Sequence, residues 1–161
     1  MDTQQIRSKQ EEKPVLETMY FEIESYSHNE QLARVVTAAY MTRLNPTVEE
    51  TEDVKTAVSE AVTNAIIHGY RESGEKIRIW VSSRGQELTV TVEDQGAGIV
   101  DVEQARQPLY TTSREGERSG MGFTFMETFM DSVEVESEPG KGTRVIMKKK
   151  IGTEDRVWTK Q

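Results

Sequence analysis

The sequence predicts an α+β domain: a two-layer sandwich in which a mixed, mostly antiparallel sheet carries helices on one face. Three observations predict it. Five short runs alternate apolar and polar residues with a period of two, as half-buried strands do. Three longer runs repeat apolar residues at helical spacing. Four of the strand runs follow one another in pairs across glycine turns, which favours hairpins, and long helices beside hairpins pack as two layers.

Residues 1–14 are polar and charged and read as a flexible, solvated arm. Met19, Phe21 and Ile23 then alternate with Tyr20, Glu22 and Glu24 as a first strand. From Asn29 to Leu44 a helix is expected, with Leu32, Val35, Val36, Ala39 and Tyr40 as its inward stripe and Asn45-Pro46 as its stop. A second helix runs from about Thr47 to His68, with Gly69 as its C-cap. Its stripe is Val54, Val58, Ala61, Val62, Ala65 and Ile66, while Glu60, Asn64 and His68 share a different face. A hairpin follows, with Ile77, Ile79 and Val81 answered by Leu88, Val90 and Val92 across Gly85. Asp94 to Gly98 breaks that strand. Beyond it lies a long polar connection with a short helical stretch at Val102–Arg106. A helix starting near Gly120 carries Phe123, Met126 and Phe129 inward. Val133 and Val135, then Val145 and Met147, form two last strands around Pro139-Gly140-Lys141-Gly142. The expected domain is 15–150, with 151–161 a polar tail.

A chain of 161 residues suits one domain, able to bury about 70% of the surface its unfolded form exposes. With no cysteine it has no disulfide, thiolate zinc site or cysteine nucleophile, and two histidines make a histidine metal cluster a poor fit. Its net charge of -8 argues against direct nucleic-acid binding, which needs surplus Lys and Arg. The start has no apolar signal core and no long apolar run suggests a membrane span, so a cytoplasmic protein is expected.

Three constellations can carry chemistry. Glu60 and Asn64, four apart on a helix, put a carboxylate beside an amide oxygen. The first can accept a proton from a hydroxyl, and the second can ligate magnesium; a plain solvated face is the alternative. Asp94-Gln95-Gly96-Ala97-Gly98 places a carboxylate able to accept from an exocyclic amine before two glycines that let a backbone approach a ligand, or it is an ordinary strand-to-loop turn. Arg118-Ser119-Gly120-Met121-Gly122 opens a helix, where free amides and a guanidinium suit phosphate, although the pattern is neither a Walker nor a dinucleotide fingerprint. Thr111 and Thr112 lie in the polar connection, which reads as a lid or as disorder.

Each constellation alone is weak; their order carries more. It resembles the ATPase superfamily shared by DNA gyrase, the Hsp90 chaperone, histidine kinases and MutL, the GHKL or Bergerat-fold ATPases. The segments Ser59–Tyr70, Ala105–Thr112 and Glu117–Thr124 resemble the serine-kinase anti-sigma branch, in particular the anti-sigma F family of endospore-forming bacteria. The resemblance spans about Tyr20 to Lys150. It implies an ATP-dependent protein serine kinase that needs Mg2+. Glu60 would be the general base, and Asn64 would hold the magnesium. Asp94, helped by Thr143, would read adenine; Gly96 and Gly98 would shape the floor of the site. Thr111, Thr112, Gly120 and Gly122 would lie on the lid and phosphates, and Arg118 on the γ-phosphate.

The resemblance also implies a homodimer that sequesters a sporulation sigma factor through positions including Glu30 and Arg34, and that phosphorylates an anti-anti-sigma protein. An acidic surface would suit the basic surfaces of a sigma factor. The competing reading is a nucleotide-gated module that binds a stress-response or other sigma factor without significant kinase activity.

Overall fold

The computed structural model describes residues 14–71, 73–107 and 122–152. Its sheet has five strands, β1 (Leu16–Glu24), β2 (Lys76–Arg84), β3 (Glu87–Asp94), β4 (Ser132–Glu138) and β5 (Gly142–Lys150), in the order β1-β2-β3-β5-β4. All four neighbouring pairs are antiparallel. The helices are α1 (Asn29–Met41), α2 (Val48–Asn64), the short α3 (Val102–Ala105) and α4 (Gly122–Phe129).

The alternation expected of the strands is the observed one. Ile77, Ile79, Val81, Leu88, Val90, Val92, Val145 and Met147 point into one core beneath the helices. There they meet Val54, Ala57, Val58, Ala61, Val62, Ala65 and Ile66 of the second helical segment, and Phe123 and Met126 of α4. Burying a residue of this size removes about 1.5–3 kcal/mol of unfavourable hydration, so this seam is the main source of stability.

Helix α2 starts on a capping box: the Thr47 hydroxyl accepts from the Glu50 amide at 3.0 Å while Glu50 Oε1 accepts from the Thr47 amide at 2.9 Å. The second Glu50 oxygen accepts from the Gly152 amide at 2.9 Å. Ile151 is fully buried and donates its amide to Gln86 O at 2.8 Å. The packed unit thus runs past Lys150 to at least Gly152, because an apolar side chain just beyond the strand closes the core.

Helix α1 departs from the expected orientation. Its inward residues are Ala33, Thr37, Tyr40 and Met41, whereas Leu32 and Val35 are 50% and 55% exposed. The helix has apolar residues on two sides, and polar anchors decide which side turns in. The Tyr40 hydroxyl donates to Glu17 O at 2.8 Å and lies 2.9 Å from Ser83 Oγ, and both partners lie beneath the helix.

Among the described residues, no helix covers the face of the sheet away from α1, α2 and α4. Across it the register aligns Glu22, Arg78, Glu93, Arg144 and Glu136, one from each strand, with alternating sign. Neighbouring charges approach to 3.8, 3.7 and 4.0 Å. The next row holds Tyr20 against Trp80, ring centroids 5.1 Å apart, with the Arg144 guanidinium 5.6 Å from the Trp80 ring.

Candidate active site

Glu60 and Asn64 stand on the last two turns of α2, both half-buried. Helix α4 begins directly over them: a Cβ placed on Gly122 would lie 3.3 Å from Glu60 Oε2 and 3.4 Å from Asn64 Nδ2. Any side chain at 122 would therefore narrow the space above the carboxylate and the amide. Three residues predicted from two separate motifs, Glu60 with Asn64, and Gly122, thus meet at one point. Thr111, Thr112, Arg118 and Gly120 lie outside the described residues.

Immediately after Asn64 the helix widens into one π-turn, Ala65–Gly69, closed by the Tyr70 amide donating to Ala65 O at 2.9 Å. This replaces the expected α-helical end with Gly69 as C-cap. Gly69 is glycine for another reason: a Cβ there would sit 2.7 Å from the Asp94 carboxyl. The left-handed residue comes two positions later, at Arg71 with φ 51°.

Asp94 ends β3 and is buried, 6% exposed. Burial pushes its carboxyl from the usual 3.8 up to about 6, against the pull of the Gly96 and Thr143 amides that donate to it. A buried carboxylate with few partners is a strong acceptor awaiting a donor, which suits an amine on a ligand. The loop that follows is held tightly on two sides. On one side Ala97 donates to Gly69 O at 3.0 Å, and Gly96 runs so close that a Cβ would fall 2.0 Å from that same oxygen. On the other, Gly140 donates to Ala97 O at 2.8 Å. Gly98, at φ 72°, adopts the left-handed backbone that the turn onto Glu138 requires.

Thr143 stands directly across from Asp94 in the β3–β5 register, with its hydroxyl 2.8 Å from Ser137 Oγ. Two residues of the loop's support escaped the sequence reading. Ser137 accepts from the Ile99 amide at 2.7 Å and donates to Gly142 O at 3.0 Å. Tyr70 accepts from the Gln95 amide at 2.5 Å. No local pattern marks these contacts to the loop, since the Ile99 and Gln95 amides lie 38 and 25 residues away in the chain. Glu30 and Arg34 sit apart from this site, on α1, paired at 3.5 Å; Glu30 also accepts from the Ser59 hydroxyl of α2.

Among the described residues no three His, Cys, Asp or Glu side chains gather as a metal cluster. The donor set still fits magnesium held mainly by phosphate oxygens, because that ion commonly takes one or two protein oxygens. The Asn64 amide, facing the start of α4, would supply one. No described helix is long and apolar enough to cross a membrane.

A helix-covered antiparallel sheet, with a helix-borne Glu and Asn at one end and a buried Asp before a glycine loop at the other, defines a nucleotide-type site of the histidine kinase-like ATPase class. The family profile described as the histidine kinase-like ATPase domain matches residues 25–149. An anti-sigma F factor of Clostridium kluyveri is 58% identical over 132 residues, 82% of this chain and 93% of its own length. One from Clostridium perfringens is 57% identical, covering 84% of this chain and 97% of its own. The chain belongs to the histidine kinase-like ATPase family and, within it, to the anti-sigma F factors.

Two solved structures share the fold. The RsbU and RsbW domains of a Mycobacterium tuberculosis protein align with TM-score 0.62 at 15% identity, over 84% of this chain and 32% of theirs. The catalytic domain of the histidine kinase ThkA aligns with TM-score 0.52 at 18% identity, over 84% of this chain and 96% of its own.

Proposed function

We propose that this protein is an ATP-dependent serine kinase that also sequesters a sporulation sigma factor of the sigma F type in the cytoplasm, and that it works as a homodimer. The observation that carries the reading is the meeting of Glu60, Asn64 and Gly122 at one end of a site whose other end is the buried Asp94. Adenine fits the Asp94 end, where the carboxylate accepts from the exocyclic amine. The triphosphate then extends toward Asn64 and the start of α4, with Arg118 as the cation for the γ-phosphate. Magnesium, held through Asn64, would neutralise phosphate charge there.

The substrate is a serine of a small anti-anti-sigma protein. Glu60 takes the proton of its hydroxyl as the serine oxygen bonds to the γ-phosphorus. The bond from that phosphorus to the bridging oxygen breaks, and ADP leaves with the electron pair. Glu30 and Arg34, on the helix beside α2, supply part of the partner-binding surface. The phosphorylated product would no longer displace the sigma factor, so the ATP to ADP ratio would set how much sigma factor is free.

Glu60→Gln tests this directly. Transfer of radiolabelled phosphate from ATP to the anti-anti-sigma protein should fall about 10²- to 10⁴-fold, the usual worth of a general base, while sigma factor is still retained on gel filtration. Phosphotransfer at the wild-type rate would refute Glu60 as the general base, whereas absence of phosphotransfer by the wild-type protein would favour a nucleotide-gated binding module.

A further inference from the structure

We infer that Tyr70 is a positioning residue of the base pocket, whose phenol oxygen sets the orientation of Asp94 and with it the preference for adenine. The inference rests on the reading of Asp94 as the adenine acceptor. It starts from the π-turn. One extra residue in a helical turn rotates everything after it by about 100°, so the side chain at 70 leaves the direction an α-helix would give it. It reaches the loop after β3, where the hydroxyl accepts from the Gln95 amide at 2.5 Å.

That amide belongs to the peptide group that follows Asp94. The carbonyl of the same peptide packs against Gly142, where a Cβ would fall 2.0 Å from Asp94 O. The peptide is therefore gripped at both ends, by Tyr70 on its N–H and by the β5 backbone on its C=O. Displacement of this peptide would shift the Asp94 Cα and, with it, the root of the carboxylate side chain. The carboxylate is otherwise tied by the Gly96 amide at 2.9 Å, which moves with the same loop, and by the Thr143 amide. Gly69, the neighbour of Tyr70, packs its Cα under the carboxyl and accepts from Ala97. The end of the π-turn is thus a platform for the loop, and Tyr70 adds to it a side-chain hydrogen bond to the Asp94–Gln95 peptide.

Discrimination follows from this orientation. Adenine offers an amine to a carboxylate where guanine offers a carbonyl oxygen, so a well-aimed Asp94 favours one and repels the other. Loosening the aim costs the favoured contact more than it costs the rest of the nucleotide.

The test is Tyr70→Phe in the full chain, which keeps the ring and removes only the acceptor, with Asp94→Asn as a parallel variant. Dissociation constants for ATP and GTP are measured by isothermal titration calorimetry, with thermal unfolding recorded for each protein. Tyr70→Phe should weaken ATP about 2- to 10-fold, the net worth of one hydrogen bond, and lower the ATP-to-GTP preference by a similar factor. An unchanged preference overturns the inference, whether or not the unfolding temperature drops, because simple destabilisation reduces the active fraction without changing selectivity. If Asp94→Asn binds ATP as tightly as wild type, the base-site reading itself fails and takes this inference with it. If only Asp94→Asn loses ATP, the base site stands and Tyr70 has no part in aiming it.

Discussion

The two ends of the candidate site are built in different ways. At the Asp94 end the chain grips itself: backbone of the π-turn, of the glycine loop and of the β4–β5 turn interlock through amide–carbonyl bonds at 2.8–3.0 Å. At the Glu60–Asn64 end two half-buried side chains stand on a helix turn, and among the described residues the opposing wall is the start of α4 over Gly122. The first end is shaped before any ligand arrives; the second presents functional groups to a space. Changes at the Asp94 end should therefore appear in affinity and stability, and changes at the Glu60 end in rate.

The sharpest way to break that contrast is Glu60→Gln. Beside its large loss of phosphotransfer it should leave ATP affinity within about threefold, less than 1 kcal/mol, by calorimetry. A comparable loss of affinity would make the two ends one cooperative unit. Gly96→Ala should do the opposite, since its Cβ would lie 2.0 Å from Gly69 O and the loop must leave its platform. ATP affinity should drop by about 100-fold or more, roughly 2.7 kcal/mol, with a lowered unfolding temperature.

A subtler test uses protons. The Asp94 carboxyl titrates near 6 when folded and near 3.8 in its usual state. Above pH 6 it is charged in both the folded and unfolded chain, and burying the charge destabilises the fold by about 3 kcal/mol. As pH falls from 6 toward 3.8 the folded state takes up a proton that the unfolded state does not, so this penalty is progressively relieved. Asp94→Asn should accordingly raise the denaturant midpoint at pH 8 while losing ATP binding. Wild-type ATP affinity should fall about tenfold per pH unit below 6, as the acceptor becomes protonated. The smallest effect is expected at Ser137→Ala, which strips the Ile99 amide of its acceptor and should weaken ATP about 3- to 5-fold, near 1 kcal/mol, with the rate at saturation unchanged.

The same division marks what the sequence disclosed. Every strand and the three longer helices were legible because alternation and the 3.6-residue stripe are properties of contiguous residues. Glu60 with Asn64, and Asp94 with its glycines, were legible because their spacing is local. The inward face of α1 was legible only at Tyr40: Leu32 and Val35 give way to Ala33, Thr37 and Met41, and the choice rests on Tyr40 reaching Glu17 and Ser83. The π-turn was not legible: its last residue, Gly69, packs against Asp94, 25 residues further along the chain. Tyr70 and Ser137 act on backbone amides far along the chain, a relation that no spacing rule encodes.

The sheet face opposite these helices has a consequence of its own. Its five charges alternate strand by strand, Glu22, Arg78, Glu93, Arg144, Glu136. Strands lie about 4.8 Å apart, so the pattern repeats every two strands and its field fades within about 1.5 Å of the surface. At a distance the alternation averages out and the row acts as a single net negative charge, three Glu against two Arg, so steering of a charged partner falls mainly to the rest of the acidic surface. At contact it becomes a ruler: a surface seated on the neighbouring Trp80 gains from the row only by matching its signs one strand at a time.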